Sequence, residues 1–177
     1  MYTVVVTGPE STGKTEICKF LADAYGTAFV PEYARGYVAS LNRPYVYEDV
    51  EKIARVQVEQ LAQHREGQFP ILFLDTYLII TKVWLREVFG YVPDWIDEAM
   101  AAAGINLFLL CYPDIPWVPD PLRENPEPRR SMLYQAYREE IEKLGWPCEV
   151  IGGKGTARFS NAEKAVGKHF TGFRDQS

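Results

Sequence analysis

The residues GPESTGKT at positions 8–15 place two glycines, a lysine and a threonine at a spacing suited to phosphate capture. Glycine tolerates the backbone curl that turns successive N–H groups inward, and the start of the following helix adds a positive dipole end. On this reading Gly8, Glu10, Ser11, Thr12, Gly13, Lys14, Thr15 and Glu16 surround the phosphates of ATP. Lys14 reaches the outer phosphates and acts in catalysis by stabilising their charge, and Thr15 offers its hydroxyl to magnesium.

Other residues supply the remaining chemistry of a phosphoryl transfer. Asp75 ends the apolar run ILFL, where a carboxylate can hold magnesium or its water shell beside Thr15. Asp75 is equally suited to cap a helix starting at Thr76. Glu32, Tyr33 and Arg35 follow a second short apolar run, on the side where an acceptor would sit, and Glu32 can take the proton of an attacking hydroxyl. The rings of Tyr33, Trp84 and Trp117 can stack on a flat heterocycle, although Trp84, near Ile80, Val83 and Phe89, also suits a core. The proline-dense segment PDIPWVPDPLRENPEPRR at residues 113–130 carries Arg123, Arg129 and Arg130. It either closes as a lid that neutralises the transferring group, or stays solvated with its arginines balancing Asp120, Glu124 and Glu127.

These residues need a scaffold that gathers them, and the pattern of apolar runs provides one. Strands are expected at residues 2–7, 28–30, 71–75, 105–111 and 148–151. Helical periodicity begins at Lys14 and lasts to Gly26, then recurs over residues 49–65, 77–89, 94–103, 129–144 and 161–170. The alternation predicts an α/β fold, a parallel sheet with helices on both faces, with Gly8, Glu32, Asp75 and Pro113 at the carboxyl ends of strands.

Bulk properties narrow the class. A chain of 177 residues is expected to be one domain, with residues 171–177 a frayed polar tail. A net charge of -5 argues against a general affinity for nucleic acid or anionic membranes. No stretch has the make-up of a signal peptide or the length of a membrane span. The three cysteines, Cys18, Cys111 and Cys148, have no CxxC spacing and lie far from both histidines, which predicts reduced cysteines, no zinc site and a cytoplasmic setting.

Taken in order, GPESTGKT, PEYARGY, FLDTYLIITKVW and PDIPWVPDPLR resemble the nicotinamide riboside kinase domain of NadR-type proteins over roughly residues 3–165. The resemblance implies a P-loop NTPase fold like that of nucleoside and nucleotide kinases, with ATP and Mg2+ as cofactors. It also implies transfer of the ATP γ-phosphate to the 5′-hydroxyl of nicotinamide riboside, in NAD biosynthesis. By position, Gly13, Lys14 and Thr15 would bind phosphates and magnesium, with Asp75 at the metal. Glu32, Tyr33 and Arg35 would face the acceptor, Trp84 would stack on nicotinamide, and Asp120, Arg123 and Arg130 would belong to a catalytic lid. Two positions depart from the family. Pro31 stands where bifunctional members usually carry an aromatic residue, and Tyr77 where they commonly carry an acid facing the ribose. The chain is also too short for the adenylyltransferase and DNA-binding domains of larger relatives.

Three activities are therefore compatible with the sequence: a nicotinamide riboside kinase, a kinase of another nucleoside or small alcohol, and an ATP-binding switch acting through a partner. A GTPase is disfavoured because no NKxD segment is present and the DxxG at residues 23–26 falls within the first helix region. An AAA-type motor would need a second helical region and an arginine from a neighbouring subunit. The oligomeric state is open.

Overall fold

Strands covered on both faces read as unbroken apolar runs, and such runs form the centre of this sheet. The computed structural model describes residues 1–67 and 69–170, so the expected tail at 171–177 lies outside the described residues. Its strands are β1 (Tyr2–Thr7), β2 (Phe29–Val30), β3 (Ile71–Asp75), β4 (Leu107–Cys111) and β5 (Cys148–Ile151). They pair in parallel in the order β2-β3-β1-β4-β5. Parallel neighbours require crossovers, which the chain makes with helices α1 (Lys14–Ala24), α2 (Tyr33–Ser40), α3 (Tyr47–Arg65), α4 (Leu78–Trp84), α5 (Trp95–Ala102), α6 (Arg129–Leu144) and α7 (Thr156–His169).

The pleat sends successive side chains to opposite faces, and this divides the core in two. Val5, Leu72, Leu74, Phe108 and Leu110 pack with Val50, Ala54, Leu78, Ile96 and Ile141 of α3, α4, α5 and α6. Val4, Val6, Phe73, Leu107 and Leu109 pack on the other face with Ile17, Leu21, Ala162 and Val166 of α1 and α7. Each such fully buried aliphatic or aromatic side chain contributes about 1.5–3 kcal/mol. Glycine loops at the carboxyl ends of the central strands therefore sit on a rigid base. Among the described residues no helix is long and apolar enough to cross a membrane.

Two elements differ from the sequence pattern. The segment after Glu32, too polar to register as periodic, forms α2, which buries Ala34 alone. Helix α4 widens into a π-helical segment at Leu85–Phe89 before Gly90, rather than running on as one α-helix. Residues 113–128 contain neither helix nor strand and arch from β4 to the start of α6.

Candidate functional site

Gly13, whose φ of 77° is left-handed, precedes the first residue of α1, and the loop before it leaves β1 at Gly8. A Cβ on Gly8 would lie 2.8 Å from the Cys111 carbonyl oxygen, so the loop can pass the end of β4 only with glycine there. Two buried arginines hold the loop from behind. Arg130 donates to the carbonyls of Glu10 (3.0 Å), Ser11 (2.9 Å) and Ile115 (2.9 Å). Arg158 donates to the Thr12 carbonyl (3.0 Å), the Tyr112 carbonyl (2.7 Å) and Asp114 Oδ1 (2.6 Å). A trans peptide points its N–H opposite to its carbonyl, so these bonds turn the amides of Ser11, Thr12 and Gly13 away from the arginines, making an anion-binding concavity.

Within this loop the Lys14 ammonium donates to the Pro9 carbonyl at 3.0 Å, which also accepts from the Thr12 hydroxyl at 2.8 Å. Thr15 Oγ1 donates to Asp75 Oδ2 at 2.5 Å. Among the described residues, Asp75 Oδ1 is buried and has no hydrogen-bond partner. An unpaired carboxylate oxygen beside a hydroxyl with free lone pairs is the donor set a hard dication takes, so the residues present fit magnesium. Burial pushes the Asp75 carboxyl above its ordinary range, against the opposing pull of the Thr15 bond and Lys14. The Glu32 carboxyl is likewise raised by burial, with Lys14 the main opposing charge. Lys14 thus stands electrostatically between the buried Asp75 and the half-buried Glu32 carboxylates.

The concavity opens into a cavity of about 650 Å³. One end is lined by Gly8, Glu10, Ser11, Thr12, Gly13, Lys14, Thr15 and Glu16. The other is lined by Glu32, Arg35, Val38, Tyr45, Ile80, Trp84, Glu87 and Val88, with Leu122, Arg123, Glu124 and Asn125 of the arching loop alongside. The π-helical segment delivers Glu87 and Val88 to this wall. Tyr45 meets Trp84 edge-on at 4.8 Å between ring centres. This contact leaves Trp84 half-buried against the core while it still lines the cavity.

The structure brings Lys14, Thr15, Glu32, Arg35, Trp84 and Arg123 to one cavity, with Asp75 joined through Thr15. It places other expected residues elsewhere. Tyr33 and Tyr77 line a separate minor cleft with Pro31 and Asp75, because Tyr77 is anchored in the core and Tyr33 turns toward Tyr37. Trp117 donates its indole N–H to Glu10 at 3.4 Å and does not line the cavity. Asp120 lies outside the lining but pairs with Arg35, which is part of it. Arg130, expected to act on phosphate, has all of its fork directed at backbone carbonyls, and Arg129 lines the cavity in its place. The Glu16 side chain is exposed and pairs with Lys19.

Sequence reasoning missed Tyr45, Glu87, Val88 and Arg158. Tyr45 sits in the link between α2 and α3, and Arg158 lies 146 residues from the loop it braces. Neither position carries a local pattern that sets it apart.

Known proteins share this architecture. The chain matches the AAA_28 family, an AAA domain, over residues 3–158. It is 27% identical over 125 residues to the trifunctional NAD biosynthesis/regulator protein NadR of Salmonella typhimurium, covering 68% of this chain and 30% of that protein. The Escherichia coli NadR is 28% identical over the same length and shares. The chain thus spans under a third of the length of the curated relatives it matches. A crystal structure of NadR in complex with NR superposes with a TM-score of 0.80 at 25% identity, covering 95% of this chain and 51% of that one. NadR with NAD and AMP-PNP gives 0.76 at 26% identity, covering 95% and 49%. A thymidylate kinase from Ehrlichia chaffeensis gives 0.65 at 11%, covering 93% and 96%, a likeness of fold alone. The glycine loop, the parallel sheet and the extent of the match together place this chain, a homologue of NadR with a nucleotide-kinase-like P-loop fold, in the AAA_28 family.

Proposed function

We propose that the chain is a small-molecule kinase that transfers the γ-phosphoryl group of magnesium-bound ATP to a hydroxyl of a nucleoside-like acceptor. Nicotinamide riboside is the acceptor that the similarity to NadR favours. The observation that carries this reading is a single cavity holding the phosphate loop with Lys14 and Thr15 at one end, Glu32 between, and the Tyr45 and Trp84 rings at the other.

Phosphoryl transfer leaves the protein mainly positioning and charge stabilisation. The amides of residues 11–13 and the Lys14 ammonium, released from the Pro9 carbonyl, hold the phosphate oxygens. Thr15 and Asp75 would hold magnesium, which would supply charge neutralisation of the phosphates. Glu32, whose pKa is raised by burial, accepts the acceptor's hydroxyl proton more readily than an ordinary carboxylate does. Arg123 stands at the cavity from the lid side and adds positive charge there. Trp84 and Tyr45 hold the acceptor ring.

The acceptor end also speaks to nucleoside over nucleotide. Arg35 is paired with Asp120, and Arg129 faces Glu87 at 3.9 Å while bonding Asn125 at 3.1 Å. A phosphorylated acceptor calls for uncompensated cations. Arg35 and Arg129 have an acidic or amide partner here, while Arg123, on the lid side, donates to the Val118 carbonyl at 2.6 Å. An ADP-release assay with nicotinamide riboside against a panel of nucleosides and nucleoside monophosphates tests the proposal. Selective turnover of the riboside is expected. Selective turnover of a monophosphate would replace the nucleoside reading, and turnover of a different nucleoside would reassign the acceptor.

A further inference from the structure

Glu10 lies inside the phosphate loop, yet its carboxylate is directed at the lid. Oε1 accepts from the Glu124 amide (3.1 Å) and Asn125 Nδ2 (2.7 Å). Oε2 accepts from the Asn125 amide (3.1 Å) and Trp117 Nε1 (3.4 Å). A charged acceptor taking four donors from one segment is a strong, directional tether. The next residue adds to it: the Ser11 hydroxyl donates to the Pro116 carbonyl (3.4 Å) and accepts from the Val118 amide (3.0 Å). Ser11 holds a left-handed φ of 58°, a conformation strained for a non-glycine residue, which these bonds sustain.

The same lid segment is held from the acceptor side. Glu124, whose amide is on Glu10, accepts the Tyr45 hydroxyl at 2.9 Å with its own carboxylate. Asp120 pairs with Arg35, and its other oxygen takes the Leu122 amide at 3.0 Å. The lid therefore bridges the phosphate loop and the two acceptor-side residues Arg35 and Tyr45.

We infer that Glu10 is a positioning residue that latches the lid to the phosphate loop, so that the lid's place over the cavity is set jointly by Glu10 and by the acceptor wall at Tyr45. Its kinetic consequence rests on the kinase reading; its structural consequence does not. A loop bond that served stability alone would leave the catalytic constants untouched. A latch makes the acceptor pay the ordering of the lid when Glu10 is removed.

The test combines hydrogen exchange of the ligand-free protein with steady-state kinetics on wild type, Glu10→Gln and Glu10→Ala. Glu10→Ala is expected to speed exchange in the peptide spanning residues 117–126 about tenfold, with β1 and β4 peptides unchanged. Glu10→Gln, which keeps one acceptor oxygen, is expected to fall between. In turnover, acceptor kcat/KM is expected to drop about tenfold for Glu10→Ala while the thermal midpoint moves by only a few degrees. Asn125→Ala and Trp117→Phe remove donors from the lid's own side and are expected to reproduce the exchange effect, which guards against misfolding of the loop variant. Equal exchange in wild type and Glu10→Ala would overturn the latch. Faster exchange with unchanged kcat/KM would overturn its positioning role. Absence of turnover by the wild type on every acceptor would instead reject the kinase reading, with the exchange data still deciding the latch.

Discussion

Thr15 Oγ1 and Asp75 Oδ2 are 2.5 Å apart, a bond that joins the first turn of α1 to the last residue of β3. It leaves Asp75 Oδ1 buried and, among the described residues, without a partner at the point where phosphate and metal would meet. Asp75→Asn keeps the shape and can still bond Thr15, but it removes the charge a dication needs. We expect its magnesium-dependent turnover to fall by at least about a hundredfold, with the fold retained. Titrating magnesium in the assay checks this: a wild-type rate at equal magnesium would remove Asp75 from the metal site.

Lys14 reaches across the loop to the Pro9 carbonyl at 3.0 Å, a contact that a phosphate oxygen would outcompete because it carries charge. Lys14→Ala is expected to lower kcat by about 10²–10³, the size typical of one lost charge-stabilising donor. Circular dichroism should be unchanged, since the Lys14 side chain bonds only within its own loop, to the Pro9 carbonyl. Near-normal turnover would reject the phosphate site.

Glu32 has a pKa raised by burial, which has two measurable signs. As a base it must be ionised, so kcat/KM should rise with pH along a limb above the ordinary carboxylate range, and Glu32→Gln should lose that limb along with most activity. For stability the folded state binds the proton more tightly than the unfolded one. Ionised Glu32 therefore costs stability as pH climbs from its ordinary value through its raised one. Glu32→Gln should melt at or above wild type at neutral pH, and the difference should shrink on acidification. Thermal melts of both proteins across this range measure it, and a variant that melts lower at neutral pH would contradict the burial argument.

The parts of this site that share a stretch of chain are legible in the sequence alone. Gly8 and Gly13 announce the loop because glycine takes a φ of 139° or 77° without strain, and ILFLD announces a doubly covered strand with a carboxylate at its end. Side chains whose role depends on where a distant backbone lies are not. Arg130 reads as one more lid arginine until Glu10, Ser11 and Ile115 are seen offering it carbonyls. Tyr77, placed on the acceptor side by the resemblance alone, points to the core and is 3% exposed. Tyr45 comes from a link without periodicity, and Glu87 from the end of the periodic stretch 77–89, where the π-helical segment changes which side chains face the cavity.

Trp84 and Tyr45 form the aromatic end of the cavity, and their edge contact fixes the Trp84 ring. Trp84→Ala is expected to raise KM for the acceptor about tenfold, the loss of roughly 1.4 kcal/mol of ring contact, with KM for ATP little changed. Trp84→Phe should recover most of it. Equal effects on both substrates would point to collapse of α4 instead of a lost contact. Initial rates at varied acceptor and fixed ATP separate the two.

Arg130 is 2% exposed and donates to three carbonyls, two of them in the phosphate loop. Removing it leaves those oxygens without partners, each at a cost of about 1 kcal/mol or more. Arg130→Lys keeps the charge but cannot form the fork, so we expect it to be destabilised by about 2 kcal/mol and to bind nucleotide weakly through a loosened loop. Urea denaturation gives the first quantity and calorimetry with an ATP analogue the second. If Arg130 acted directly on phosphate, Arg130→Lys would keep the wild-type midpoint and lose turnover alone. A shared loss of stability and affinity identifies it as the brace that keeps residues 11–13 curled.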